Sequence, residues 1–329
     1  MIRLVSTLLT FFGVAVVVFI IVRVAPGDPI AMMISPGASP EDIANLRALY
    51  GFDKSVAAQF LIWLAQVLHG DFGMSISLRQ SVTLVVLEHL PATLELAGLA
   101  LLMAMALGGG LAIVAARFRD TATEVAVDIF NGFTLSVPDF LWGLLLILIF
   151  GVAVPLFEIS GRVSPDLELP FITHFYLLES LLRLRLDITR DLLAHMVMPA
   201  LALALPLAAV ISQVLKSSLK EVLGQDYVLL ARTKGFSQMH VLLFEALRNA
   251  VIPALAVTGV QFTFLIGGTV IVERLFSYEG LGNLAIDAVT NRDLPLIQGI
   301  VLLFAVIFMA INFGVDLIAT FLNPRLRHG

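Results

Sequence analysis

The chain has no cysteine among its 329 residues, which excludes disulfides, thiolate-bound zinc and thiol nucleophiles. Charge is scarce as well. Asp, Glu, Lys and Arg make up 14% of the residues, whereas 59% are hydrophobic and mean hydropathy is +0.98; soluble domains carry about 25% charge. So little charge cannot solvate the exterior of a globule this long, so lipid is the solvent for much of the chain. The modest net charge of −5 argues against nucleic acid as a partner. Only four lysines are present, and none stands in a Gly-x-x-x-x-Gly-Lys-Ser/Thr loop that would cradle phosphate. The six histidines are scattered at 69, 89, 174, 195, 240 and 328, with no His-Glu-x-x-His and no pair at metal-ligand spacing. A Gly-x-Ser-x-Gly elbow is missing too. With no catalytic, metal or cofactor constellation, the chain reads as a non-enzyme that binds no cofactor of its own.

What it does have is long apolar runs. A helix of ~20 apolar residues crosses the ~30 Å bilayer core, and six stretches meet that length: Leu4–Val22, Leu96–Ala116, Phe140–Phe157 (the uncharged core of a segment beginning near Val125), Leu192–Leu215, Asn249–Val272 and Leu294–Val315, the last extending toward Leu322. The first is followed directly by Arg23-Val24-Ala25-Pro26-Gly27-Asp28-Pro29, without a small-residue cleavage site, and reads as a membrane helix rather than a signal peptide. Segments 1–3, 116–124, 216–248 and 323–329 share one side and hold ten Lys and Arg in 52 residues; the opposite side spreads ten over 124. The positive-inside rule therefore places both termini and the 216–248 loop in the cytoplasm. The expected organisation is an all-α membrane protein: a first membrane helix over 1–22, an outer loop region over 23–91, and a five-helix core over 92–329.

The long outer loop is not disordered in composition. Pro40-Glu41-Asp42-Ile43 starts like a helix, with acids in its first turn. Gln59–Leu68 puts Phe60, Trp63, Leu64 and Val67 on one helical face, and Gly70-Asp71-Phe72-Gly73 breaks the run. These features predict a folded outer cap at the membrane surface.

Four acids fall in or beside the spans: Glu95, Asp128, Asp139 and Asp316. Glu95, Asp128 and Asp316 lie near span ends, where snorkelling, capping or pairing explains them. Asp139 is deeper, beside Pro138, which frees a backbone carbonyl; it faces either a water-filled translocation path or a structural contact. Gly108-Gly109-Gly110, Gly267-Gly268, Pro199 and Pro206 suit close helix packing, and together they suit a bundle that changes shape. In the cytoplasmic loop an amphipathic helix runs to Lys234, Gly235 permits a left-handed turn, and a second helix follows. Such a helix–Gly–helix fits either a groove in another protein or the lipid headgroups.

At this point several motifs resemble a known family. Ala231-Arg232-Thr233-Lys234-Gly235, with Pro253 eighteen residues after the glycine, is similar to the EAA loop of ABC importer permeases of the dipeptide/oligopeptide branch. Leu229 and Leu230 stand where the loop's name has Glu and Ala. The likeness continues in Arg23–Pro29, Tyr50-Gly51-Phe52-Asp53-Lys54, Trp63, Gly70–Gly73 and Leu90-Pro91-Ala92-Thr93-Leu94-Glu95-Leu96. It extends through Val272–Tyr278, Gly280-Leu281-Gly282, Asn291-Arg292-Asp293-Leu294-Pro295 and Asn323-Pro324-Arg325-Leu326-Arg327, with Glu279 where members often have proline.

The resemblance implies a type I importer fold in the bacterial inner membrane, and the long first outer loop favours the B-type permease. It further implies a second, C-type permease as partner, two cytoplasmic ATPase subunits that hold ATP and Mg, and a periplasmic binding protein that delivers a peptide or related small solute. Residues Ala231, Arg232, Lys234 and Gly235 would then meet the ATPase, with Asp139 the candidate for the substrate path. The rival reading is a stand-alone proton-coupled transporter using Asp139 as relay, for which no inverted repeat is visible.

Overall fold

The computed structural model describes residues 2–24, 39, 41 and 54–322. The sequence motifs over 25–29, 42–53 and 323–327 lie outside the described residues. Among those described the chain is helical, with an isolated antiparallel bridge between Met74 and Ser81 and no strand. The helices are α1 Ile2–Val24, α2 Val56–Leu68, α3 Val82–Arg117, α4 Ala122–Ser136, α5 Asp139–Ala153, α6 Tyr176–Leu182, α7 Leu186–Val222, α8 Asp226–Thr233, α9 Gln238–Leu275, α10 Leu281–Thr290 and α11 Leu294–Leu322. Stretches Ile147–Ala153 in α5 and Val241–Ala246 in α9 are π-helical.

Helices α3, α7, α9 and the 294–315 part of α11 are long and apolar enough to cross a membrane, and the α4–α5 pair, bent by 102°, adds a fifth where it counts as one span. The expected Leu4–Val22 span lies in α1, a 23-residue helix. Several helices overrun the limits read from hydropathy. Helix α3 begins at Val82, not near Leu96, and α9 begins at Gln238, so the second helix of the basic loop is continuous with the following span. A hydropathy reading stops at the first charge, but a helix continues wherever that charge is exposed or paired.

The bend between α4 and α5 follows from Pro138. It lacks an N–H and forces the preceding Val137 into an extended conformation (φ −105°, ψ 121°). One carbonyl freed by the break, that of Thr134, accepts the Trp142 indole N–H at 3.3 Å.

Two compact units make up the chain: Met1–Leu90 with Leu284–Met309, and Pro91–Asn283 with Ala310–Gly329. In the first, α2 packs on α1 through Phe60 with Phe12 and Phe19 (ring centroids 5.9 and 5.3 Å apart) and Trp63 with Phe19 (5.5 Å). After α2, Gly70 and Gly73 take φ of +80° and +85°, the turn the sequence predicts. The segment then reaches Asp293, a fully buried carboxylate. It accepts bonds from Ser75 Oγ (2.6 Å), Ser77 N–H (2.9 Å), Ser77 Oγ (2.7 Å) and, at the start of α11, Leu296 N–H (3.2 Å). Burial opposes ionisation, but these donors hold the Asp293 carboxyl below its ordinary 3.8. Its contribution to stability is therefore complete above the ordinary value and is lost only as pH falls through the lower folded one.

In the second unit α7 is central, with α4, α5, α6 and α9 all packed on it. Asn131 of α4 donates to Ser212 Oγ of α7 at 3.0 Å, and Lys216 of α7 pairs with Glu124 (2.8 Å) and Asp128 (2.6 Å) of α4. Asp128 is thus paired, while Asp316 lies outside the residues whose side chains are described. Glu95 is also paired. Its partner Arg162 (2.9 Å) is 4% exposed, donates to the His174 carbonyl (2.6 Å) and stacks 4.0 Å over the Tyr176 ring. Nearby, Glu179 accepts from Thr173 Oγ1 (2.5 Å) and from the Ile172 and Thr173 N–H groups and pairs with Arg183. The Thr173 hydroxyl above all brings its carboxyl down to about 2.

Of the glycines singled out for close packing, Gly108 and Gly268 meet neighbours, whereas Gly109, Gly110 and Gly267 face open space. A Cβ on Gly108 would overlap the Ala208 carbonyl oxygen of α7. Substituting G108A should therefore cost about 1–3 kcal/mol by overpacking. G109A and G110A should be neutral or stabilising by up to about 1 kcal/mol. Heating the detergent-solubilised protein and following the monodisperse fraction separates the three.

Candidate functional site

The hairpin at 226–240 is built from a short helix and a glycine elbow. Asp226 supplies an acid to the first turn of α8, and Val228 and Ala231 turn inward onto Leu215, Leu219, Leu242 and Ala246. The helix ends in a Schellman motif. Phe236 N–H reaches the Ala231 carbonyl (3.4 Å), Gly235 N–H reaches the Arg232 carbonyl (3.0 Å), and Gly235 takes φ +83°. Ser237 then caps α9, its hydroxyl accepting from His240 N–H at 3.3 Å. A bond from Asn249 Nδ2 to Tyr227 Oη (2.7 Å) ties α8 to α9.

This geometry divides the four residues assigned to the hairpin's contact. Arg232, Lys234 and Gly235 are exposed. Ala231 is buried in the chain's own apolar cluster and seats the hairpin, so it offers no surface outward. The exposed apolar residues are ones the sequence reading passed over: Leu229, Leu230, Phe236 and Met239. Their signal was available. With Val228 and Ala231 inward at i, i+3, positions 229 and 230 must point away from the bundle. Phe236, His240 and Phe244 stack in succession, with centroids 4.6 and 4.9 Å apart.

The second feature is a cleft of about 280 Å³ at the α4–α5 bend, lined by Val137, Asp139, Leu203, Pro206, Gln261 and Phe264 among others. Asp139 opens α5. Its Oδ1 accepts the Phe140 N–H (2.9 Å), and its Oδ2 faces Gly268, where a Cβ would stand 2.8 Å away. The lining is mostly apolar, with one carboxylate and one amide as its polar side chains. Among the described residues no group of three acids or histidines is placed to hold a metal ion.

The far end of α9 carries a third buried carboxylate. Glu273, with no exposed surface, accepts from Thr93 Oγ1 (2.7 Å) and from the Gly282 and Asn283 N–H groups (2.7 and 3.1 Å). Thr93 Oγ1 in turn accepts the Leu281 N–H (2.8 Å). A Cβ on Gly280 would overlap the Glu273 carboxylate, and one on Gly282 would stand 2.5 Å from Val270 Cα. The Gly-Leu-Gly motif thus gives Glu273 room and lets it cap α10.

Because Gly235 has open space around its Cα and a left-handed backbone, shape and not size decides what it tolerates. G235A and G235L should weaken the elbow alike, by about 1 kcal/mol, and G235N by less. Protease nicking of the 226–240 segment in membrane vesicles reads the difference.

The family model described as binding-protein-dependent transport system inner membrane component matches residues 108–328, and the model of its N-terminal part matches residues 1–97. The dipeptide transport system permease protein DppB of Escherichia coli (strain K12) is 38% identical over 328 residues, covering 97% of this chain and 95% of that protein. The di/tripeptide transport system permease protein DppB of Pseudomonas aeruginosa (strain UCBPP-PA14) is 36% identical over 320 residues, with the same coverage. A solved structure, of an amino acid ABC transporter with histidines, is 16% identical at a TM-score of 0.49 and covers 72% of this chain and 94% of its own. The proton-coupled carrier reading is set aside, because membership of this family puts the energy source in a separate ATPase subunit. The chain belongs to the binding-protein-dependent transport system inner membrane components and is a multi-pass permease subunit of an ABC importer.

Proposed function

We propose that the chain is the B-type permease of a peptide importer, with six spans, α1 being the first, and with both termini and the 216–248 loop in the cytoplasm. Region 23–91 then lies on the periplasmic side, and 92–329 forms the five-helix core. A C-type permease completes the substrate path, two ATPase subunits dock below, and a periplasmic binding protein delivers cargo from above. The relatives' names, as dipeptide and di/tripeptide transport permeases, support the peptide reading, and the basic density of the 216–248 loop supports the orientation.

The observation that carries the docking claim is the outward row of Leu229, Leu230, Arg232 and Lys234 on a helix whose other face is seated in the bundle. Apolar side chains flanked by cations fit a groove with an acidic rim. Gly235 shapes the elbow that presents them, and Ala231 lets α8 sit close. The double variant Leu229→Asp, Leu230→Asp should reach the membrane in normal amount, lose ATPase subunits on affinity purification, and lose uptake of a radiolabelled dipeptide. Normal co-purification and uptake would sink the docking claim.

Asp139 offers the cleft's one negative charge, a partner for the ammonium end of a peptide during passage. An ionic hydrogen bond contributes about 1.5–3 kcal/mol, so D139N should slow dipeptide uptake about ten- to a hundred-fold while ATPase subunits still co-purify. Unchanged uptake by D139N would return Asp139 to a structural role against Gly268.

A further inference from the structure

Helix α2 has 13 residues, none of them charged, and is too short to cross a bilayer. One of its faces is accounted for: Phe60, Trp63 and Val67 pack against α1 and α11, and the Gln59 side chain donates to the Lys54 carbonyl at 2.8 Å. Among the described residues the opposite face is left uncovered and is apolar. Leu61 and Leu68 are 65 and 69% exposed, with Ile62 beside them.

The depth of this helix can be gauged twice. Val67 shares a buried cluster with Leu302 and Ala15. Leu302 lies eight residues into α11 from Leu294, about 12 Å along the axis at the helical rise of ~1.5 Å per residue. Ala15 lies nine residues from Val24, the end of α1, about 13.5 Å by the same rise. The two gauges agree; the first takes Leu294 as the start of the α11 span, and the second takes Val24 as the end of an α1 span on the six-span reading. Phe72, just past α2, lies beside Gly299, nearer the Leu294 end. Half of the hydrocarbon core is about 15 Å thick. Val67 thus sits at acyl-chain depth, well below the headgroups where the sequence alone put this segment.

We propose that α2 is immersed in one leaflet of the bilayer as a short, non-spanning helix whose bare face is covered by acyl chains. A protein partner is the poorer fit. Gln66 is the one polar side chain among the exposed positions within α2, whereas protein interfaces ring an apolar centre with a polar, hydrogen-bonding rim. Lipid needs only apolar area, which the unpacked face of the uncharged helix supplies.

The lack of cysteine makes the test direct. Single variants L61C and I62C, and D166C in an exposed loop as the aqueous reference, are labelled with a small fluorophore in detergent. The whole transporter is then reconstituted in phosphatidylethanolamine–phosphatidylglycerol vesicles. Immersion predicts that lipids with a nitroxide midway along the acyl chain quench the probes at 61 and 62 several-fold more than aqueous iodide does, with the reverse at 166. Iodide quenching at 61 and 62 equal to that at 166 would overturn the proposal in favour of a water-exposed helix. Protection from both quenchers would overturn it in favour of a protein cover.

Discussion

A carboxylate taken wholly out of water has to be met by donors, and this requirement shapes the fold more than any apolar contact does. Glu273 meets it with a hydroxyl and two backbone N–H groups and Asp293 with two hydroxyls and two N–H groups, while the partly buried Glu95 is held by a guanidinium and the Leu178 N–H. Each arrangement binds segments far apart in the chain. In a medium without water a missing donor costs several kcal/mol, so every partner becomes a fixed point of the architecture. Apolar helices surrounded by lipid gain little from packing on one another compared with facing acyl chains. The buried acids supply the specificity that the hydrophobic effect does not.

This explains why the short motifs along the chain were legible while their meaning was not. Gly70–Gly73 and Asn291–Pro295 read as two separate family signatures, yet Ser75 and Ser77, just past the first, bond to Asp293 in the second. Leu90–Leu96 and Gly280–Gly282 likewise read as unrelated, and they meet through Thr93 and Glu273. Sequence order carries no record of such pairings. Apolar runs were legible because lipid selects on composition; helix limits were less so, because Glu95 and Arg248 interrupt the hydropathy but not the backbone bonding. The bend at Pro138 was legible as chemistry, and its 102° angle was not.

The hairpin shows the same division. Gly235 could be assigned to a left-handed turn from residue type, and the Schellman bonds bear this out. Which neighbours face the bundle was beyond the motif itself, because a match to a family pattern marks Ala231 and Arg232 equally. Burial separates them, one seating the helix and the other leaving it.

Helix α9 begins at the glycine elbow and ends at the Glu273 clamp without a break. It is therefore a single rod of about 57 Å at the ordinary rise, and besides the interior Pro253 it carries the π stretch at Val241–Ala246. A π turn holds one residue more than an α turn. That extra residue sets the angular phase between the two ends: with it, the elbow and the clamp face their own neighbours at once. Without it, one end would be rotated by about 100° relative to the other, and the rod would fit at either end but not at both.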